Sequence, residues 1–264
     1  MAGTYQAIAT KLGSSLACQY EYEPGNWVGS STASQWNDSS GNSNHVAAPT
    51  SGEEPTINAV SSSFRGSPSL TFTGTTTDST SDKLQKTTGF SLSAPGTTPI
   101  YMRTVLRRVS AGAPTAYPIV NLRTGRGFSQ VLYGTLITAS ADGGPHNNIT
   151  ALAAGVPFVF ESYFSASTSD YNYLNTTQST GGSFGNNAPS LIRIGAEAGL
   201  LENVTWEIVT TACFTGGAPS AGLRAAWADR DAVEFGVSVA SLPVDIIATP
   251  YWRQARSMFA RYRR

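Results

Sequence analysis

The chain has little charge. Only 13% of its 264 residues are Asp, Glu, Lys or Arg, about half the usual share of a globular protein, and 17 basic residues balance 17 acidic ones. A sequence so poor in Lys and Glu, without helical periodicity, excludes a helical bundle and a coiled coil. The remainder is rich in hydroxyl-bearing residues and glycine, which favours short strands joined by turns.

Long hydrophobic runs are also missing. No segment approaches the eighteen or so consecutive apolar residues of a membrane-spanning helix, so we expect no membrane partner. Residues 1–11 contain no basic stretch ahead of an apolar run, so we expect no signal peptide and a protein made in the cytoplasm. The length suits one large all-β domain with a real hydrophobic core, with two small domains as the alternative.

Cysteine and histidine are scarce. Cys18 and Cys213 lie far apart in sequence, and we expect two buried free thiols, with a disulfide as the alternative. The sequence holds only His45 and His146, which gives little basis for a zinc site or a Ser-His-Asp triad. We therefore expect no cofactor and no catalytic residues.

Short runs of alternating or β-branched apolar residues recur along the chain, separated by stretches rich in Gly, Pro, Asn, Asp and Ser. This pattern predicts a sandwich of short antiparallel strands. Three polar stretches are predicted to be exposed loops, at residues 75–82, 140–148 and 178–189.

One short helix interrupts the strand pattern near the C-terminus, over residues 219–235. Ser220 is suited to cap its N-terminus and Gly236 to end it. The residues predicted to share one face of this helix are Leu223, Ala226, Trp227 and Arg230.

The segment from Trp36 to His45 combines a tryptophan with turn-forming residues. Asp38 and the two serines before Gly41 predict an Asx-type turn in which the glycine supplies a positive φ. Trp36 is expected to pack beneath this turn, and Asn44 or His45 to satisfy buried backbone groups. The alternative is ligand contact, with Asp38 as a candidate calcium ligand, although the segment has fewer carboxylates than a tight calcium site requires.

This segment opens a series of motifs that resembles the concanavalin A-like, laminin-G-like jelly-roll domains found in bacteriophage virion proteins and bacterial surface modules. The segments that match, in the order of the family, are residues 36–45, 67–74, 82–84, 173–175 and 191–195, then Glu207 and the helix at 219–235.

The resemblance implies a concanavalin A-like antiparallel β-sandwich, a jelly roll, over residues 31–242. An N-terminal arm or first strand would precede it at 1–30, and a basic, aromatic tail would follow at 243–264. Thr73 stands where the family has Asp, which argues against a calcium or sugar site built on that Asp.

The same scaffold also hosts glycosidases, whose two carboxylates lie two residues apart on one strand face. Glu207 is instead predicted to share its face with Thr205, Val209 and Thr211, and Glu202 falls on the opposite face of an extended strand. We therefore expect that the protein is not an enzyme.

Three aromatic residues are candidates for carbohydrate binding: Trp27, Tyr171 and Tyr173. Exposed aromatic rings stack on sugar rings while neighbouring Asn and Asp side chains bind hydroxyl groups. The alternative is that they belong to the core, where aromatics at alternate strand positions are more often found.

The C-terminal tail differs from the rest in charge. The last acidic residue is Asp245, and arginines and large apolar residues alternate beyond it. The predicted partner-binding residues are Trp252, Arg253, Arg256, Phe259, Arg261, Tyr262, Arg263 and Arg264. Since Arg makes planar, multi-donor contacts suited to protein interfaces, we expect the tail to dock on a neighbouring subunit rather than on nucleic acid.

Two functions follow from these features. The first is a non-enzymatic virion structural protein of a bacteriophage, capsid-decorating or tail-associated, which is oligomeric in the particle, contacts other virion proteins and exposes a lectin-like sandwich. The second is a glycan-binding adhesion module that recognises a host-surface glycan. A glycosidase ranks third.

Overall fold

The computed structural model of the chain describes residues 3–75, 80–110, 117–123, 128–133, 136–140, 146–150, 153–175, 177–180, 183–195 and 204–237. These residues form an antiparallel β-sandwich of the jelly-roll type, which confirms the predicted fold class. The described helices are α1 (Thr4–Lys11) and α2 (Ala221–Phe235), with short 3-10 turns at Ser51–Glu53 and Ser62–Phe64.

The strands up to the middle of the chain are β1 (Ala17–Val28), β2 (Gln35–Asp38), β3 (Val46–Ala47), β4 (Thr56–Asn58), β5 (Ser69–Thr73), β6 (Lys83–Lys86), β7 (Ile100–Arg108) and β8 (Tyr117–Arg123). Those that follow are β9 (Phe128–Tyr133), β10 (Leu136–Ser140), β11 (His146–Thr150), β12 (Pro157–Phe164), β13 (Tyr171–Leu174), β14 (Thr177–Thr180), β15 (Ile192–Gly195) and β16 (Thr205–Thr215).

Hydrogen bonding links these strands in the order β11-β10-β9-β8-β15-β6-β3-β2-β1-β16-β7-β12-β13-β14, and β4 and β5 join at β16. The path folds over on itself into two layers. We call the run from β1 to β14 the front layer and the run from β11 to β2 the back layer. The main core lies between them, where Met102 and Phe160 of the front layer pack in one cluster with Leu84 and Val120 of the back layer.

Alternation along each front-layer strand decides which side chains enter this core. In β12, Phe158, Phe160 and Phe164 point inward and are buried in the main cluster. The residues that alternate with these inward positions, including Glu161 and Tyr163, therefore lie on the outer face of the front layer. β1, which precedes residue 31, is the first strand of this layer and pairs with β16 on one side and with β2 of the back layer on the other.

Helix α2 covers part of that outer face, and it forms as the sequence predicted. The Ser220 hydroxyl accepts the Leu223 N–H at 3.2 Å, and Gly236 ends the helix in the left-handed region with a φ of 69°. Trp227 stacks on Phe214 of β16 and Tyr101 of β7, with ring centroids 5.0 and 5.7 Å away. Leu223, Ala226, Trp227 and Arg230 are all buried, which confirms the predicted face.

Helix α1, which the sequence did not predict, packs beside α2. Tyr5 joins the Trp227 cluster, and the Trp227 indole donates a hydrogen bond to the Tyr5 carbonyl at 3.1 Å. The first backbone N–H groups of α1 donate to side chains of β1. Thr4 N–H donates to Glu23 at 2.8 Å, and Tyr5 N–H donates to Glu21 at 2.6 Å. Because the capping carboxylates come from another element, no local capping residue marked this helix.

The structure corrects three local predictions. Residues 140–148 and 178–189 were predicted to be loops, but β11 begins at His146 and β14 extends to Thr180. These strands carry few apolar residues, so they lack the alternation by which sequence identifies a strand. In β16, a bulge between Ile208 and Thr210 turns Thr211 inward, where its hydroxyl lies 3.0 Å from that of Thr104, so its predicted place on the face of Glu207 is wrong.

Two other predictions concern the cysteines and the membrane. Cys18 and Cys213 are buried free thiols on the paired strands β1 and β16, as expected. Within the described part of the chain, neither helix is both long enough and apolar enough to span a bilayer.

Candidate functional site

Three tyrosines lie together on the outer face of the front layer, beyond the end of α2. Tyr163 of β12 is paired in register with Tyr171 of β13, and Tyr173 lies two residues further along the same strand. Since residues two apart share a face, the three side chains form one surface. We call Tyr163, Tyr171 and Tyr173 the tyrosine platform.

The platform has a defined geometry. The rings of Tyr163 and Tyr171 stack at a centroid distance of 5.1 Å with 25° between their planes. Tyr173 meets Tyr171 edge-on at 5.2 Å and 78°. Its hydroxyl donates a hydrogen bond of 2.6 Å to Oε1 of the exposed Gln178 on β14. All three tyrosines are half-buried, so part of each side chain faces solvent, unlike the core aromatics.

Arg224, on the first turn of α2, borders the platform. Its guanidinium carbon lies 3.7 Å from the centroid of the Tyr173 ring, within the range of a cation–π interaction. Nε of Arg224 donates to Glu161 Oε2 at 2.9 Å, and Nη2 donates to the same oxygen. Glu161 pairs in register with Tyr173, so the strand register and the helix cap together fix this arrangement.

A buried ionic network underlies this edge of the platform. Arg103 of β7 contacts Glu161 and also Asp231 of α2, to which its Nε donates at 3.1 Å. The Tyr5 hydroxyl donates to the other oxygen of Asp231 at 2.6 Å. Charges buried in this way are costly unless they are paired, and here each has partners on different elements. The network therefore fixes α1 and α2 on the sheet and, through Glu161, Arg224.

The hydroxyl groups of Tyr163 and Tyr171 stay protonated over a wide pH range. Burial raises the pKa of Tyr171, with Tyr163 and Tyr173 adding to the shift and Arg224 opposing it. Burial also raises the pKa of Tyr163, and the negative charge of Asp170 acts in the same direction. Neutral phenols donate and accept hydrogen bonds around their apolar rings.

The platform is thus an amphipathic surface of three adjacent rings. Such a surface can stack against the C–H face of a sugar ring or another flat apolar group, while hydroxyl and amide groups at its rim bind polar substituents. Tyr171 and Tyr173 were the sequence-based candidates, and the structure brings them together on the outer face rather than in the core.

Trp27, the third aromatic candidate, lies elsewhere. It is on β1, four strands from β13 in the order of the front layer, or about 19 Å at the usual strand spacing. Its ring meets Trp36 edge-on at 6.2 Å and packs against the main core. The structure therefore does not join Trp27 to the tyrosine platform.

Asp38 holds a structural turn. Its Oδ1 accepts the N–H groups of Glu21 at 3.0 Å and of Ser40 at 2.8 Å, the second of which closes the predicted Asx turn. Its Oδ2 accepts the Asn44 N–H at 2.9 Å and the Ser40 hydroxyl at 2.8 Å. Gly41 follows with a φ of 90°. Four donors occupy this carboxylate, which supports the structural interpretation over the calcium-ligand alternative.

The neighbours of this turn also behave as predicted. Trp36 is fully buried, and the Nδ2 of Asn44 donates to the Gln19 carbonyl at 2.8 Å. His45 Nδ1 accepts the Asp38 N–H at 2.9 Å. In the described ranges, no three His, Cys, Asp or Glu side chains lie close enough together to hold a metal ion.

Glu207 is a buried partner in an ion pair. Its Oε1 accepts the Ser69 hydroxyl at 2.5 Å, and its Oε2 contacts Arg107 Nε at the same distance. Glu202 lies outside the described residues. So do all the predicted partner-binding residues of the tail: Trp252, Arg253, Arg256, Phe259, Arg261, Tyr262, Arg263 and Arg264.

Sequence reasoning missed Tyr163 and Arg224. Tyr163 could have been found, because it alternates with the inward-pointing phenylalanines of its strand and so shares the face of Glu161. Arg224 could not, because its contact with Tyr173 joins a helix to a strand distant in sequence.

Comparison with solved structures finds β-sandwich domains of the same general fold. The binding domain of Paraclostridial Mosquitocidal Protein 1 matches with a TM-score of 0.58 and 12% identity, over 81% of this chain and 52% of that one. A structure of botulinum neurotoxin type C, whose cell entry is described as dependent upon interaction with two ganglioside molecules, matches with a TM-score of 0.51 and 10% identity. The match covers 77% of this chain and 49% of that one. Trypanosoma rangeli sialidase, in complex with sialic acid, matches with a TM-score of 0.54 and 9% identity, over 81% of this chain and 33% of that one.

At these identities the likeness shows the fold alone. The chain spans about half the length of the first two structures and a third of the sialidase. No family model and no curated protein matches the sequence.

Proposed function

We propose that the protein is a non-enzymatic glycan-binding module whose tyrosine platform stacks against sugar rings. The observation that carries this proposal is the cluster of three half-buried tyrosines on one open face, with stacked and edge-on contacts at about 5 Å. Rings held by their neighbours lose little conformational entropy when a ligand binds, which favours recognition by a preformed surface.

The polar rim supports the same proposal. Gln178 and the tyrosine hydroxyls offer both donors and acceptors within reach of ring substituents. Two proteins of similar fold are described with sugar ligands, gangliosides for the neurotoxin and sialic acid for the sialidase. In this chain, Glu207 is engaged by Arg107 and Ser69, which favours binding without hydrolysis.

A virion setting remains a prediction from the sequence. The resemblance to phage jelly rolls and the basic, aromatic tail favour a bacteriophage structural protein that displays the platform and docks on neighbouring subunits through residues 250–264. Deletion of these residues is expected to leave a folded sandwich that no longer enters particles. Normal incorporation of the truncated protein would contradict this prediction.

The glycan proposal is tested by binding to a printed glycan array, followed by titration calorimetry with the sugars that bind. Replacing Tyr171 with Ala removes the central ring, and we expect affinity to fall at least about ten-fold, as for an aromatic residue at the centre of an interface. Tyr171→Phe keeps the ring and should retain most of the affinity if stacking dominates.

Val60→Ala is the matched control, since Val60 is 77% exposed and lies outside the platform. This variant should bind like the wild type. The proposal is overturned if no glycan binds, or if Tyr171→Ala, shown to be folded by circular dichroism, binds every sugar as well as the control does.

A further inference from the structure

The positive charge beside the platform is largely buried and already paired. Among the residues that the structure describes, Arg224 is the one cation in contact with a platform ring. Its side chain is only 11% exposed, and two of its nitrogens already donate to Glu161. An incoming carboxylate would have to compete with a buried carboxylate that is already in place.

The charge of Arg224 is also neutralised beyond this pair. Glu161 lies between Arg224 and Arg103, and Arg103 in turn contacts Asp231. Two guanidinium groups therefore alternate with two carboxylates along one chain of contacts. Arg230, whose Nη1 lies 3.9 Å from Asp231 Oδ1, is itself paired with Glu23 and Glu234. Seen from the platform, this cluster has no net positive charge to attract an anion.

The opposite end of the platform is next to a negative charge. The buried carboxylate of Asp170 accepts the Ser165 N–H at 2.6 Å and the Phe184 N–H at 2.7 Å, so it is fixed in place. Burial first, and then this carboxylate, raise the pKa of Tyr163, so the field of Asp170 reaches the stacked rings. A negative potential at this end disfavours an acidic substituent.

Building on the proposed function, we propose that the tyrosine platform selects neutral sugars and discriminates against carboxylated ones, with Glu161 as the residue that sets this preference. Glu161 acts as a positioning residue. It holds the Arg224 guanidinium against the Tyr173 ring and at the same time accepts from Nε and Nη2, two of the nitrogens with which an acidic sugar would have to bond.

The test compares matched pairs of sugars on the wild-type protein, lactose with 3′-sialyllactose and a cello-oligosaccharide with its glucuronate-containing counterpart. We expect the neutral member of each pair to bind at least about ten-fold more tightly, and lowering the salt concentration not to rescue the acidic member. Equal or tighter binding of the acidic sugars that strengthens at low salt would overturn the inference.

A variant separates the inference from the proposed function. Glu161→Gln keeps the shape of the side chain but leaves Arg224 without its counter-charge. Binding of the acidic sugar of each pair should therefore improve several-fold relative to the neutral one. Thermal unfolding checks that the variant is folded. Where that variant does not fold, the salt dependence of the wild type decides.

The outcomes are distinguishable. Acid-preferring binding that is lost in Tyr171→Ala would uphold the platform as a glycan site but overturn the inference about charge. Absence of binding to any sugar would overturn both.

Discussion

Among the described residues, the outer face of the front layer has one half that the helices cover and one half that no described element covers, the open half, and both are built from the same kinds of residue. One row of paired positions runs Phe214, Tyr101, Tyr163, Tyr171 across four strands. Trp227 of α2 stacks on the first two, which are fully buried, whereas the last two are half-buried. The strand positions are equivalent, so cover by the helices distinguishes the tyrosine that belongs to the core from those that form a surface.

The next row shows the same contrast for polar residues. Arg103 and Glu161 are 1% and 2% exposed in the covered half, and their charges are fully paired. Tyr173 and Gln178, which continue that row, are reachable from solvent. The same alternation therefore produces a buried ionic network under the helices and a solvent-accessible surface beyond them.

The largest expected effect of a single substitution lies in the covered half. Arg103→Met leaves Glu161 and Asp231 buried without their shared counter-ion, so the free energy of unfolding should fall by about 3–5 kcal/mol. Urea denaturation followed by circular dichroism measures this loss. A change below about 1 kcal/mol, the level of a surface ion pair, would show that the network contributes little.

A pair of matched tyrosine substitutions probes the contrast directly. Tyr101→Ala, under α2, should cost about 3–5 kcal/mol of unfolding free energy, as large buried side chains do. Tyr171→Ala, in the same row but open, should cost only about 1 kcal/mol. Both are measured by chemical denaturation. Equal losses would mean that the platform is as much a part of the core as the covered row.

The covered half is also expected to respond to pH. Burial raises the pKa of Glu21 well above its ordinary value of 4.5, and its hydrogen bond with Glu23 adds to the shift. As pH rises past 4.5 the unfolded chain loses this proton before the folded protein does, so the free energy of unfolding falls until the folded carboxyl ionises.

Glu21→Gln removes this titration while keeping the size of the side chain. The difference in stability between the variant and the wild type should therefore shift in favour of the variant between pH 5 and pH 8. Denaturation curves at several pH values measure it. A difference that stays constant over this range would show that Glu21 ionises equally in the folded and unfolded states.

Local chemistry accounts for the parts of the fold that sequence predicted. Helix α2 has its own cap at Ser220 and its own terminator at Gly236, and the turn at Asp38 is closed by its own residues. Both features are encoded within a few positions. The same holds for Tyr171 and Tyr173, whose spacing alone places them on one face.

The parts that sequence did not predict depend on contacts between distant segments. Helix α1 is capped by Glu21 and Glu23, and a Cβ on Gly3 would lie 2.2 Å from the Glu21 carboxyl. The pairing of Arg103 with Asp231, and of Arg224 with Tyr173, requires the sheet and helix to be assembled first. The residue pattern of a single segment does not predict such contacts between distant segments.

Amide chemical-shift mapping shows directly whether the open half of this face binds glycans. Titration of a neutral sugar selected on the array into isotope-labelled protein should shift the amides of β12, β13 and β14 and of the first turn of α2. The amides around Trp27 and the Asp38 turn should not move. Shifts confined to those two regions, or absent from the strands of the tyrosine platform at saturation, would show that the tyrosine platform does not bind the sugar.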